Sequence, residues 1–174
     1  MPDKRDSLHH CQMDSVHAVR EQPIPAESTQ SGLRPFVITA ALVVLVHTVM
    51  MLVHGAAHMR LKVELSTWAK IYVLCVVGIG PIAGFFLLRS SRQRTGAAIL
   101  FTTMLGALLF GLWNHFIAHG PDHVMHLEAG AWRLPFQATA VLLAVSETAG
   151  AIVALMLLSG LTKQIKAGFR ERKD

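Results

Sequence analysis

Six of the ten histidines of this chain stand at or just beyond the ends of two long apolar segments. His54 and His58 close the first; His115 and His119 close the second; His123 and His126 follow within a few residues. Imidazole is a polar group that is costly to hold at the edge of a hydrocarbon layer. It is also a ligand for zinc, copper, iron and nickel. On an α-helix, residues four apart fall within about 40° of one another, so each pair aims both rings the same way. Two such pairs facing each other offer four nitrogens, the number that a tetrahedral site takes. The spacing therefore predicts a transition-metal site built from His54, His58, His115, His119, His123 and His126. Asn114, Asp122, Met125 and Glu128, which lie among these histidines, are expected as extra ligands or as hydrogen-bond partners that fix the imidazole tautomers. Copper is favoured over zinc or iron, because Met59 and Met125 adjoin ligand candidates and thioethers suit Cu(I).

Haem b is the competing cofactor. One haem needs a histidine from each of two facing helices, and Gly106, Ala107 and Gly111 would make room for it. Two haems stacked across a bilayer would need ligands about 13 residues apart on each helix. The second histidine segment has no such partner, so a two-haem cytochrome is disfavoured. In a third reading the histidines only line the surface of a non-catalytic scaffold subunit. A fourth is a metal-free cluster that responds to pH.

Two further ionisable residues lie deeper. His47 is near the middle of the first apolar segment and Glu147 near the middle of the last. Such groups are functional candidates by default. They are expected either to form a proton relay toward the histidines or, in the plainer reading, to satisfy hydrogen bonds within the helix packing. His9, His10, Cys11, Met13 and His17 make a loose soft-ligand run near the N-terminus, with no diagnostic spacing.

These residues require elements that hold them. Of 174 residues, 52% are hydrophobic and only 16% charged, with a mean hydropathy of +0.45. The charged fraction is well below the roughly 25% of soluble proteins. Four apolar segments, near residues 35–54 (extendable to 58), 68–88, 96–117 and 134–161, each approach the roughly 20 residues needed to span a bilayer. Only helices satisfy their own backbone there. The expected fold is an all-α integral membrane protein with four helices in an antiparallel up-down bundle. Residues 1–34 are expected as a disordered polar tail, 35–162 as the membrane domain and 163–174 as a basic tail. Gly78, Gly80, Pro81 and Gly84 predict a kink and a close helix approach in the second segment. Ala140, Ala144, Glu147, Ala151 and Ala154 form a packing stripe on the fourth.

Twelve of the 16 lysines and arginines fall on one side of this arrangement, among them Arg89, Arg92 and Arg94 in one tight loop. Arg60, Lys62, Lys70 and Arg133 fall on the other. The positive-inside rule then places both termini in the cytoplasm and the histidines on the periplasmic or extracellular face of the plasma (inner) membrane. The lipid bilayer is the expected partner, with a second membrane protein or another copy of the chain alongside it. The net charge of +5 comes without interleaved aromatic and basic residues, so nucleic acid is excluded as a partner. Cys11 and Cys75 should differ in depth too much to pair. No catalytic triad, phosphate loop or cysteine zinc knuckle occurs.

Overall fold

The computed structural model describes residues 34–170. The N-terminal run containing His9, His10, Cys11, Met13 and His17, and residues 171–174, lie outside the described residues. Among the described residues every regular element is a helix. Four are long and apolar enough to cross a membrane: α1 (Arg34–Leu61), α2 (Thr67–Leu88), α3 (Gln93–Ile117) and the apolar part, to Lys163, of α4 (Arg133–Arg170). α4 thus runs as a helix past the boundary expected near residue 162.

Large apolar side chains such as Ile38, Leu42, Leu52, Phe86, Leu109 and Val145 are exposed on the outside. In water this would be an unusually large apolar patch; facing lipid tails it costs nothing. Attraction between the helices must then come from close packing, which small residues permit. α2 and α3 illustrate this. A Cβ on Gly84 would stand 2.8 Å from the backbone nitrogen of Leu100, and one on Gly96 would strike the backbone of Leu87 and Leu88. α3 also packs on α4, and α4 on α1. One core joins Ala40 and Val44 of α1, Leu88 of α2, Leu100 and Met104 of α3, and Ala154 and Leu157 of α4. Early parts of α1 and α3 thus meet late parts of α2 and α4, as alternating helix directions require. The smaller core lies at the opposite end, where Ala57, Val124, Leu127, Phe136 and Ala140 meet.

Helix ends and irregularities set the histidine positions. α1 stops in a Schellman motif: Lys62 takes φ 53°, the Lys62 N–H donates to Met59 O (3.4 Å) and the Val63 N–H to His58 O (3.1 Å). The turn bearing His58 is thereby locked at the helix terminus. α2 begins with Ser66, whose hydroxyl accepts from the Ala69 N–H (3.2 Å), an N-cap. Two π-helical stretches interrupt the regular ladder, Val73–Ile79 in α2 and Trp113–Ile117 in α3. Such stretches are rare and concentrate at functional sites.

Candidate metal centre

His54 and His58 from the last turns of α1 meet His115 from the π-helical end of α3. Ring centroids are 4.9 Å apart for His54–His58, 4.8 Å for His54–His115 and 6.1 Å for His58–His115. One nitrogen from each ring lies within 4.8 Å of the others. A tetrahedral ion with 2.0–2.1 Å bonds brings its nitrogens to about 3.3 Å of one another, so a modest closing of these rings completes the set. His54 and His115 are buried and His58 half-buried.

Neighbouring groups fix the tautomers. The Thr139 hydroxyl donates to the Pro135 carbonyl one turn back, at 2.7 Å. Its proton is thus committed, and the His54 Nδ1–H donates to Thr139 Oγ1 at 2.9 Å. His115 Nδ1–H donates to the Asp122 carbonyl at 3.1 Å. In both rings the proton sits on Nδ1, which leaves the Nε2 lone pair for a ligand. His58 Nε2 stands 3.1 Å from Asp122 Oδ1, yet the two are not aligned as a hydrogen bond, and Oδ1 remains without one. Asp122 Oδ2 is 3.6 Å from His115 Nδ1. One buried carboxyl group thus stands beside two of the three imidazoles, His58 and His115.

Among the described residues, four buried side-chain polar atoms lack a hydrogen bond: His54 Nε2, His58 Nδ1, Asp122 Oδ1 and His47 Nδ1. Three of the four belong to this one cluster. Buried polar atoms are nearly always satisfied, and an ion is one of the few explanations for a concentrated exception.

Phe136 holds the cluster together. It is fully buried, with its ring 4.5, 4.9 and 5.5 Å from those of His54, His58 and His115. Gln137 Nε2–H donates to Val124 O at 2.7 Å, and the Val124 N–H donates to His115 O at 3.0 Å. These bonds tie the Asp122 loop to α3 and α4. Phe136, Gln137 and Thr139 do not stand out in the sequence, because at the head of an apolar segment they look like any lipid-facing or capping residue. The one available hint is that Phe136 and Thr139 are three apart, hence on one helix face.

The other expected ligands go elsewhere. α3 ends at Ile117, and Ala118 turns to an extended ψ of 130°. His119 therefore leaves the helix and does not share a face with His115. It packs instead on His123 and His126, with centroids 5.7 Å from each, while those two stack at 4.5 Å. His119 and His126 are exposed and His123 half-buried. His123 Nδ1 accepts from the Met125 N–H at 3.2 Å. Asn114 Nδ2–H donates to the Phe110 carbonyl at 2.9 Å, within its own helix. Met125 and Glu128 are exposed.

A cavity of about 560 Å³ opens beside the trio; Asp122, Gly111 and Glu147 line it together with the trio, with Lys62, Glu64 and Lys70, and with apolar side chains of all four helices. Glu147 and His47 face each other at 3.9 Å (Oε1 to Nδ1). His47 also has a plain structural task. Its Nε2–H donates to Val77 O at 3.0 Å. An α-helix would bond that carbonyl to the N–H of residue 81, but residue 81 is Pro81, which has none.

Comparison with protein-family models, with curated proteins and with solved structures finds no match to this chain.

Proposed function

We propose that this chain is an integral membrane metalloprotein that binds one transition-metal ion through His54, His58 and His115, with the Asp122 carboxylate balancing its charge. In this reading the four helices form an up-down bundle with both termini in the cytoplasm, and the site faces the periplasm or cell exterior. The observation that carries the proposal is the convergence of three imidazoles, with unpartnered buried atoms on His54, His58 and the neighbouring Asp122.

Three protein ligands beside a cavity resemble the open coordination of catalytic sites more than the closed four-ligand shell of structural ones. Metal-dependent chemistry on a molecule that enters the cavity is therefore the favoured role, ahead of ion handling. Nitrogen ligands bind copper most tightly among the common divalent ions, and zinc and iron(II) also suit imidazole with carboxylate. The close edge-on packing of His54 on both His58 and His115 leaves no slot between the rings for a macrocycle, which favours a bare ion over haem b.

The test is one preparation in detergent, examined by elemental analysis and optical spectroscopy. One equivalent of copper, zinc or iron, lost in His54→Ala and in His115→Ala, is expected. A Soret band would replace this reading with haem, and a metal-free protein that takes up no added ion would leave the scaffold reading.

A further inference from the structure

Glu147 is buried, with 3% of its surface exposed, and among the described residues no hydrogen bond reaches its carboxyl group. His47 Nδ1 is 3.9 Å from Oε1, too far for a hydrogen bond. Neither of its oxygens is among the four sealed, unpartnered atoms named above; the group borders the cavity, where a ligand can reach it. The other oxygen, Oε2, lies near Gly111 of α3. A Cβ built on Gly111 would lie 3.8 Å from Glu147 Oε2 and 3.9 Å from His115 Cδ2. Both atoms thus border the same small gap, and it exists because residue 111 has no side chain. Gly111, Glu147 and the trio all line the one cavity.

We infer that this gap is a binding site for a small anion, or for the anionic end of a larger molecule, coordinated at the trio's metal and hydrogen-bonded at its far atom by Glu147. The inference rests on the metal reading above and assigns two further residues. Glu147 is the group that recognises the ligand. Gly111 sets how large its coordinated end can be. The acid form of a carboxyl donates a hydrogen bond to an anion, and a glutamine amide can donate one from nearly the same place. His47, held by Val77 O, stands on the Oε1 side of the carboxyl group without a hydrogen bond to it, and Oε2 lies on the Gly111 side. Val77, Phe110 and Leu143 form the apolar part of the wall, and the charged side chains of Lys62, Glu64 and Lys70 also line the cavity.

The probe is azide, titrated into the full-length chain loaded with Cu²⁺ and followed by the azide-to-copper charge-transfer absorption. Glu147→Leu should weaken azide binding about tenfold, the value of one hydrogen bond, and Glu147→Gln should restore it to within about threefold of the parent. Gly111→Ala should weaken azide by roughly tenfold or more, because its methyl fills the gap while meeting its neighbours at ordinary contact distances. Cu²⁺ affinity should stay the same in all three variants. Unchanged azide affinity in both Glu147→Leu and Gly111→Ala, with Cu²⁺ still bound, overturns this inference and spares the metal centre. Failure of the parent chain to bind Cu²⁺ overturns both. Should Gly111→Ala not fold, the contrast between leucine and glutamine at position 147 decides alone.

Discussion

The chain carries two histidine trios at the same end of the molecule, and they differ in everything except residue type. His54, His58 and His115 are packed under Phe136, with Nδ1 of two rings committed to Thr139 and to the Asp122 carbonyl. His119, His123 and His126 lie on a loop, stack face to face and are largely open to solvent. Burial removes water as a competitor and fixed tautomers present lone pairs inward. The stacked rings cover one another's faces, and His123 Nδ1 is taken up by the Met125 N–H of the same loop. Ligand chemistry is thus set less by how many histidines a segment has than by what stands behind each ring.

This contrast is open to attack at several strengths. The largest effect should come from the ion itself. At free Zn²⁺ roughly 1,000 times Kd, binding should stabilise the parent chain by about 4 kcal/mol, read as a rise in detergent unfolding temperature. His54→Ala or His115→Ala should abolish the rise. If it persists in both, the ion sits elsewhere. Phe136→Ala should cost about 3 kcal/mol through the void left among the three rings, measured by unfolding without metal, and should weaken metal binding as well. Stability equal to the parent would mean that the ring does not brace the trio. Thr139→Val and Asp122→Asn should each lower metal affinity by roughly 10–100-fold, the usual loss when the partner of a ligand is removed. Competition with a chelator of known affinity would read that change. The smallest effect is expected from the triple variant His119→Ala, His123→Ala and His126→Ala, which should leave affinity within about twofold, as sites that share no partners are independent. Loss of the bound ion there would invert the comparison.

Much of this was legible in the sequence, for identifiable reasons. Four membrane-length helices follow from apolar run lengths, and their ends near Leu88 and Ile117 fall where expected. His54, His58 and Asp122 were legible as one locality, because His54 and His58 close α1 on one face and Asp122 is in the loop beyond α3. The membership of His119 was not. Extending helical periodicity past Ile117 assumes a regular helix, whereas the π-helical turn shifts the angular phase and the chain then leaves the helix at Ala118. His47 was legible as an unusual intramembrane group. Its bond to Val77 O depends on which carbonyl Pro81 orphans and on which helix packs there, a fact of tertiary structure. Phe136 and Thr139 were invisible for the same reason, since only the meeting of α4 with α1 brings them behind His54.

X-ray absorption on the Zn²⁺-loaded full-length chain tests the central claim most directly. Three imidazole nitrogens at about 2.0–2.1 Å, with the outer-shell scattering of rigid rings, are predicted for the parent chain and for the His119, His123 and His126 triple variant alike, and one imidazole fewer for His54→Ala. A sulfur ligand in the first shell, or a spectrum that His54→Ala leaves unchanged and the triple variant alters, would contradict it.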